Sequence, residues 1–314
     1  MVDGKPRSRK RGEVTVRTRR FFQETTVLRR LFPVLSTQWF YFIKGVKKNR
    51  AHRRAFASFF SKPTPPWFNH VELETLNRCN GECSFCPVNR NAVQRPPARM
   101  SESLFEDIVR QLADIQYRRS VALYSNNEPL LDTRLPDFAS LARKRLPKAN
   151  MKLYTNGTLL TLDLFRRLIP NFNKFIVNNY NPAPEMHGNI QEIHDFCLTE
   201  EGRKLIAGKR VDIQLRNPES VLGTRAGNAP NREPIKKSVR ALCAYPFTQF
   251  IVRPDGRVSL CCNDALGQMT LGDCNQESIT EIWRGKISSQ MRGAMAEKGR
   301  AGIPLCAKCD FVEY

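Results

Sequence analysis

The sequence predicts an α/β protein: a full or partial TIM-like (β/α) barrel, preceded by a basic N-terminal extension and followed by a small cysteine-rich domain. From residue 67 onward, short apolar runs alternate with longer amphipathic segments. This alternation is typical of a parallel sheet with helices outside it. Ten cysteines, most of them in two groups, indicate where the chemistry is expected.

Five apolar runs predict strands, at residues 71–76, 121–124, 151–154, 175–178 and 211–215. Helices are expected between them at 103–116, 136–145 and 162–169, with partly helical stretches at 191–196 and 202–207. Ser101 is the expected N-cap of the first helix, because a serine side chain can accept a hydrogen bond from the first turn. In barrels of this type the active site lies at the carboxyl ends of the strands.

The chain carries 51 Lys and Arg against 30 Asp and Glu, a net charge of +21, and the excess is concentrated at one end. Residues 1–66 hold 17 Lys and Arg against 3 Asp and Glu, a net charge of +14. We expect residues 1–20 to be a disordered basic arm. Residues 21–60, where aromatic residues lie among the charges, are expected to form helical segments broken at Pro33. The run Ser61 to Pro66 is typical of a linker.

Three roles stay open for this extension. It could be a helical arm that packs on the main domain and exposes a solvated basic face. It could bind an anionic membrane or a lipid-linked substrate, because basic and aromatic residues mix as they do in interfacial helices. It could also contact nucleic acid.

The compartment follows from what the sequence lacks. No run reaches the roughly 18 apolar residues of a membrane-spanning helix, and no hydrophobic signal peptide opens the chain. We therefore expect a cytoplasmic protein, with peripheral membrane attachment as an option. In a reducing compartment, cysteines are expected to bind metal, catalyse or pack rather than form disulfides.

The first cysteine group, Cys79, Cys83 and Cys86, follows the first predicted strand with CxxxCxxC spacing. Three thiolates on one loop can bind one face of a metal centre and leave a fourth position open to a ligand that is not protein. A structural zinc site would require four closed ligands. An iron–sulfur cluster with one open iron suits three.

With Phe85 just before its last cysteine, this motif resembles that of the radical S-adenosylmethionine (SAM) superfamily. The resemblance implies a 4Fe–4S cluster on the three cysteines, with SAM chelating the open iron through its amino and carboxylate groups. It also implies reductive cleavage of SAM to a 5′-deoxyadenosyl radical, which abstracts a hydrogen atom from substrate. Phe85 would contact the adenine.

Four further residues lie at sequence positions similar to those that form the SAM pocket in that family. Glu128 closes the run Asn126-Asn127-Glu128-Pro129, where the family has a Gly-Gly-Glu-like sequence. It is the candidate for the SAM ammonium, whose charge it complements. Asn156, in Thr-Asn-Gly-Thr, is a pocket candidate, although an ordinary Asn-Gly turn explains it nearly as well. Asn178 stands where the family often contacts the SAM ribose. Arg216 could meet the SAM carboxylate or the substrate, or lie on the surface.

The second cysteine group comprises Cys243, Cys261, Cys306 and Cys309. Pro254-Asp255-Gly256 predicts a hairpin turn before Cys261. A single helix is expected from Ile279 to Met295, because Trp283, Ile287 and Met291 recur at four-residue spacing. Four cysteines from a hairpin and a terminal CxxC predict a closed metal site, for which spacing alone allows zinc or iron–sulfur.

Beside the first motif, this pattern resembles the SPASM/twitch extension of radical SAM enzymes, where such cysteines bind auxiliary 4Fe–4S clusters. We expect one auxiliary cluster, and two clusters in all, because no cysteine follows Cys309. The resemblance spans residues 71–314. The expected divisions are the extension and linker at 1–66, the radical SAM partial barrel at 67–235 and the SPASM/twitch-like domain at 236–314.

Three cysteines remain outside both groups. Cys197 and Cys274 are expected to be buried small residues. Cys262 adjoins the predicted ligand Cys261, so its thiol is the candidate catalytic group that could donate a hydrogen atom to a substrate radical. Packing, or an exchange of ligand role with Cys261, is the simpler explanation.

The predicted reaction is a tailoring oxidation or an epimerisation of a carbohydrate, an aminocyclitol or a peptide. In an oxidation the substrate radical loses a proton and passes an electron to the auxiliary cluster. In an epimerisation a thiol such as that of Cys262 returns a hydrogen atom. Either reaction requires an external electron donor such as flavodoxin or ferredoxin.

Two alternatives remain. The same chemistry could modify a nucleic acid or a lipid-linked substrate that the basic arm recruits. A non-catalytic, zinc-containing nucleic-acid-binding protein would explain the charge. It would not explain Phe85 and Glu128 together with the barrel-like alternation.

Overall fold

The computed structural model describes residues 12–18, 53, 54, 56, 57, 59, 61, 66–91 and 95–311. Nine strands form one sheet within them. They are β1 Val14–Thr18, β2 His70–Leu73, β3 Ser120–Ala122, β4 Asn150–Thr155, β5 Lys174–Tyr180, β6 Arg210–Arg216, β7 Gln249–Val252, β8 Arg257–Ser259 and β9 Thr270–Asp273. Their order is β1-β6-β5-β4-β3-β2-β7-β8-β9.

The helices lie between and after these strands. They are α1 Glu102–Asp114, α2 Leu135–Arg145, α3 Leu162–Leu168, α4 Gly188–Leu198, α5 Glu200–Leu205, α6 Tyr245–Thr248, α7 Ile279–Arg284, α8 Lys286–Glu297 and α9 Pro304–Ala307. Each strand and helix expected between residues 71 and 215 is present within a few residues of its predicted bounds. Ser101 caps α1, where its hydroxyl accepts from the Leu104 amide at 3.1 Å.

The strands from β1 to β7 are paired in parallel, and β8 and β9 continue the sheet antiparallel after a hairpin. The two outermost described strands, β1 and β9, do not pair with each other, so the barrel is partial. Pro254-Asp255-Gly256 makes the expected turn between β7 and β8. These features confirm the predicted fold class.

The two faces of the parallel strands have different surroundings. Side chains alternate along a strand, and odd-numbered residues such as Val71, Met151 and Phe175 are fully buried in the apolar core. Even-numbered residues such as Glu72 and Tyr154 therefore point to the inner face of the barrel. The inner face is polar, which places chemistry there rather than packing.

The prediction of a disordered arm over residues 1–20 is wrong for part of that range. Val14–Thr18 forms β1, which pairs with β6 in parallel, and the Thr15 hydroxyl hydrogen-bonds the Asp212 carboxylate. The alternating sequence Val-Thr-Val-Arg-Thr suits a strand, and β6 offers it an unpaired edge. The helical segments expected around Pro33 lie outside the described residues.

The last part of the N-terminal extension packs on the C-terminal domain. Phe56 and Phe59 are buried. The Phe56 ring stacks on Phe247 with centroids 3.8 Å apart, and the Phe59 ring lies edge-on to Trp283 at 6.4 Å. This packing corresponds to the first of the three roles considered for the extension.

The prediction of a single helix from Ile279 to Met295 is also wrong, because the helix is interrupted at Gly285. Gly285 is extended, with φ −65° and ψ 169°, and it ends α7 and precedes α8. A Cβ there would lie 2.6 Å from the Glu281 carbonyl oxygen, so the close turn requires glycine. As a result Ile287, the middle residue of the predicted apolar stripe, is 47% exposed.

Candidate active site

A cavity of about 310 Å³ opens at the carboxyl ends of the barrel strands. Its lining includes the three cysteines of the first group and all five residues predicted to bind SAM. These are Cys79, Cys83, Cys86, Phe85, Glu128, Asn156, Asn178 and Arg216. Residues from the ends of four strands and from one loop thus meet at one place, as parallel strands allow.

The cysteine loop is fixed by backbone hydrogen bonds. The Cys86 amide donates to the Cys83 carbonyl at 3.0 Å, and Ser84 donates from both its amide and its hydroxyl to Pro218 at 3.1 Å. Burial raises the pKa of the Cys79 and Cys83 thiols to about 12. Cationic iron would overcome this by stabilising the thiolates.

The cysteines suit an iron–sulfur cluster better than a single ion. Among the described residues, no three His, Cys, Asp or Glu side chains could together hold one metal ion. In a cluster each sulfur binds a different iron, and thiolates are its usual ligands. Three sulfurs that face an open cavity would hold such a cluster and leave one iron accessible.

Glu128 lies at the cavity wall and is 1% exposed. Its Oε1 accepts from the Thr155 hydroxyl at 2.6 Å and from the Leu130 amide at 3.0 Å, and its Oε2 accepts from the Asn156 amide at 2.6 Å. Burial raises the pKa of Glu128 to about 6, although these donors favour the carboxylate. The chain thus holds an acidic group at fixed orientation where a cationic amine would be complemented.

The Asn156 side chain joins the strand end to the cysteine loop. Its Nδ2 donates to Oδ1 of Asn80 at 2.8 Å, and its Oδ1 accepts from the Thr158 amide at 2.9 Å. Asn156 is therefore both the Asn-Gly turn residue and a link to the loop that carries Cys79.

Arg216, Tyr180, Asn178 and Phe85 form the opposite wall. The Arg216 guanidinium lies 5.5 Å from the centre of the Tyr180 ring and donates to Oδ1 of Asn178 at 3.2 Å. The ring centroids of Phe85 and Tyr180 are 6.0 Å apart. Arg216 therefore lines the cavity and is not a surface arginine.

Sequence reasoning missed several residues of the cavity. Tyr124 and Tyr154 line it with ring centroids 4.6 Å apart, and the inward period of β4 could have indicated Tyr154. Arg225 donates to the side-chain oxygens of Asn126 and Asn263. It lies in a loop with φ +48°, for which the sequence offers no periodic signal.

The second cysteine group converges as expected. Cys243, Cys261, Cys306 and Cys309 are all buried and line a cavity of about 10 Å³. Arg300 joins the segments, since it donates to the carbonyls of Ala241 at 2.6 Å and Phe311 at 2.6 Å. Burial raises the pKa of the Cys306 thiol to about 12, and Arg300 partly offsets this. Four cysteines in one buried place are the number of thiolate ligands that a cluster without an open position uses.

Cys262 connects the two cavities through its chain neighbour and one hydrogen bond. It adjoins Cys261, and its carbonyl accepts from Nδ2 of Asn126, a residue of the large cavity, at 3.1 Å. Burial, with the nearby Glu72, raises the pKa of its thiol well above the ordinary value. Cys197 and Cys274 are buried in the core, as predicted.

Comparison with known families gives one match for each of the two regions that carry the cysteine groups. Residues 73–210 match the radical SAM superfamily, and residues 243–310 match the SPASM iron–sulfur cluster-binding domain. Together the two ranges cover most of the chain. The protein therefore belongs to the radical SAM superfamily and carries a C-terminal SPASM domain, with SAM and 4Fe–4S clusters as its cofactors. It is a radical SAM oxidoreductase.

The chain is also similar to individual proteins and solved structures. The chain is 25% identical, over 78% of its length and 94% of the relative, to the S-adenosyl-L-methionine-dependent 2-deoxy-scyllo-inosamine dehydrogenase of Niallia circulans. A crystal structure of BtrN in complex with AdoMet and 2-DOIA superposes with a TM-score of 0.66 at 26% identity, covering 79% of this chain and 94% of that one. A structure of anSMEcpe with bound AdoMet shares the fold, with a TM-score of 0.51 at 14% identity over 78% of this chain and 86% of that one.

Proposed function

We propose that this protein is a radical SAM dehydrogenase that oxidises a secondary hydroxyl group of an aminocyclitol, or of a related carbohydrate, to a ketone. When bound, SAM and the first cluster supply a 5′-deoxyadenosyl radical that removes a hydrogen atom from the substrate. The observation that carries the proposal is a closed four-cysteine site directly behind the large cavity, because an oxidation needs an electron acceptor there. Similarity to a 2-deoxy-scyllo-inosamine dehydrogenase supports it.

The chain's own residues would bind and orient a polyhydroxylated ring. Tyr124 and Tyr154 offer aromatic faces, while Ser125, Asn126 and Arg225 offer hydroxyl, amide and guanidinium groups in the same cavity. Such a mixture of apolar faces and a few placed polar groups is what small-ligand sites use to fix orientation.

The four buried cysteines would hold one auxiliary 4Fe–4S cluster, giving two clusters in all. Cys243, Cys261, Cys306 and Cys309 supply a complete ligand set. Only Cys197, Cys262 and Cys274 then remain, and they come from different segments. We infer that the auxiliary site accepts the electron released by oxidation, since Cys262 and Asn126 connect it to the large cavity by one hydrogen bond.

The test is anaerobic reconstitution followed by product analysis. With SAM, a reductant and a panel of aminocyclitols, monosaccharides and peptides, we expect deoxyadenosine together with a product two mass units lighter than an aminocyclitol substrate. About eight irons per chain are expected, at four per cluster. Product of unchanged mass from every substrate, or a peptide as the only substrate oxidised, would contradict the proposal.

Epimerisation is the second candidate, because Cys262 is a half-buried free cysteine whose carbonyl accepts a hydrogen bond from Asn126, a residue of the large cavity. Solvent deuterium at an inverted carbon, abolished in Cys262→Ser, would support it. A dehydrogenase would instead form its lighter product in the same variant, without deuterium at the carbon.

The external electron donor and the role of the basic extension also belong to this proposal. A flavodoxin or a ferredoxin would deliver single electrons to the first cluster. The extension would contact an anionic surface, either membrane lipid or nucleic acid, through residues 1–11. Within the described part of the chain, no helix has the length and apolar character that would let it cross a membrane.

A further inference from the structure

Below the large cavity, four polar side chains form a continuous line of hydrogen bonds through the barrel. The Ser125 hydroxyl donates to Oε2 of Glu72 at 2.6 Å. Oε1 of Glu72 lies 3.1 Å from Nε2 of His70, and Nδ1 of His70 lies 2.8 Å from the Ser120 hydroxyl. Both oxygens of the carboxylate and both nitrogens of the imidazole are therefore engaged in the same line.

The line begins at the cavity and ends at the opposite end of the barrel. Ser125 lines the cavity. His70 and Ser120 are the first residues of β2 and β3, and they pair with each other in register. The Glu72 side chain is 7% exposed, whereas the His70 side chain is 19% exposed, so solvent reaches the line at its lower end.

We infer that Ser125, Glu72, His70 and Ser120 form a proton relay that carries the proton of the oxidised hydroxyl group out of the cavity. The inference rests on the proposed dehydrogenation. Converting CH–OH to C=O removes one hydrogen atom, one electron and one proton. The hydrogen atom and the electron leave through the radical and iron–sulfur chemistry proposed above, which leaves one proton for the protein.

Each transfer follows an existing hydrogen bond. The Ser125 hydroxyl accepts the substrate proton and passes its own proton to Oε2 of the Glu72 carboxylate. Rotation of the protonated carboxyl group then presents this proton to Nε2 of His70, which accepts it. His70 releases the proton on Nδ1 to Ser120 and solvent. Imidazole suits this position because either nitrogen can carry the proton near neutral pH. Rotation of the two hydroxyls and exchange of the imidazole tautomer restore the starting state.

The ionisable groups around Glu72 do not interrupt the line of hydrogen bonds. The other ionisable side chains that interact with Glu72 are Glu74, Tyr124, Lys152 and Cys262. Burial, with Glu72 nearby, raises the pKa of the Tyr124 phenol well above its usual value, so it stays protonated and does not divert the proton. Lys152 is the cation that offsets the negative charge of Glu72.

The main experiment compares two histidine variants of the reconstituted full chain. His70→Gln removes the relay imidazole, and His194→Gln is the matched control. The His194 side chain is 20% exposed and lies 3.0 Å from an Asp195 oxygen, on the outer helix α4. We expect oxidised product per deoxyadenosine to fall by at least about tenfold in His70→Gln. Direct acid–base assistance contributes roughly 100- to 10,000-fold, and His70 acts further from the substrate. The acid limb of the pH–rate profile should also change. His194→Gln should retain the wild-type product ratio and the wild-type pH–rate profile.

Two further measurements separate a relay from a structural role. Ser125→Ala should reproduce the product loss, and Ser125→Thr should restore it because the hydroxyl returns. By ¹⁵N NMR of the imidazoles, Glu72→Gln should shift the resonance of His70 Nε2, since an amide replaces the carboxylate that lies 3.1 Å from this nitrogen. This readout does not depend on turnover.

The outcomes distinguish the relay from the function on which it rests. If the wild type oxidises an aminocyclitol while His70→Gln keeps the wild-type product ratio and pH profile, the relay is wrong and the dehydrogenase stands. An unchanged His70 Nε2 resonance in Glu72→Gln also overturns the relay. If the wild type oxidises no aminocyclitol or carbohydrate, the proposed function itself is overturned.

Discussion

The two cysteine sites of this chain are built in different ways. Cys79, Cys83 and Cys86 lie within eight residues on one loop and face a cavity of about 310 Å³. The four cysteines of the second site are spread over residues 243–309 and enclose about 10 Å³. The first site is local and open to a ligand, and the second is assembled by the fold and closed. Their assembly should therefore fail under different changes, and their roles should be separable.

The largest expected effect comes from removing one ligand at each site. Cys83→Ala should reduce deoxyadenosine formation by more than about 100-fold, because even the outer partners of metal ligands contribute about 10–100-fold. Cys306→Ala should lose about four irons and the oxidised product while SAM cleavage persists. Iron analysis and chromatography of both products measure these effects.

Cys197→Ala is the control, because Cys197 is buried in the apolar core and belongs to neither site. It should keep its iron and both activities. Equal loss of deoxyadenosine in Cys83→Ala and Cys306→Ala would show that the two sites do not have separate roles.

A smaller effect is expected from neutralising the acidic wall of the open site. Glu128→Gln should weaken SAM binding by about 10–100-fold, since a hydrogen bond to a charged group contributes about 1.5–3 kcal/mol. The pKa of Glu128 is raised to about 6, so its charge is lost as the pH falls through about 6. Wild-type SAM affinity should therefore rise with pH across this range, and that dependence should vanish in the variant. Equilibrium dialysis at several pH values measures it.

Glu82→Gln provides the comparison for Glu128. Glu82 is on the cysteine loop, but its side chain is 52% exposed and pairs with Arg90. The Glu82→Gln variant should retain the wild-type affinity for SAM. If both variants lost SAM affinity equally, the loss would be a general electrostatic effect and not the loss of a specific contact with Glu128.

Backbone strain should damage the closed site before the open one. Gly256, in the β7–β8 hairpin, has φ +86°, and a Cβ there would lie 2.1 Å from Nδ2 of Asn275. Gly256→Ala should lower the free energy of unfolding by about 1–3 kcal/mol and reduce auxiliary-site iron first. Denaturant titration and iron analysis are the measurements.

Gly188→Ala is a suitable control, because no atom lies within 4 Å of its Cβ position and it begins α4. It should keep wild-type stability and iron. Loss of iron from the first site before the second in Gly256→Ala would contradict the idea that only the closed site depends on this hairpin.

The smallest effect on either site is expected from the basic residues at the start of the chain. Replacing the five Lys and Arg of residues 1–11 with Gln should leave SAM cleavage within about twofold, while weakening binding to anionic vesicles or to RNA. A truncation of residues 1–60 would be less informative, because it removes β1 and the buried Phe56 and Phe59. If the variant bound anionic vesicles and RNA as well as the wild type does, the anionic-surface role would be excluded.

Much of the barrel was predictable, because its strands and helices have strong apolar periodicity. The predictions failed where contacts outside the segment decided the conformation. Residues 14–18 lie between charged residues, and their alternating sequence forms a strand because β6 offers a free edge. The stripe of Trp283, Ile287 and Met291 indicates one helix, but the close turn at Gly285 divides it. Arg225 enters the cavity from an aperiodic loop.

The sequence by itself determined the open cysteine site, the turn that leads to Cys261 and the alternation that builds the barrel. These depend on residues close together in the chain, so spacing and residue type are sufficient to predict them. Only the tertiary structure decided that four distant cysteines meet, that Cys262 lies between the two cavities and that Ser125, Glu72, His70 and Ser120 form one line. Such contacts depend on strand order and register, which local sequence patterns do not encode.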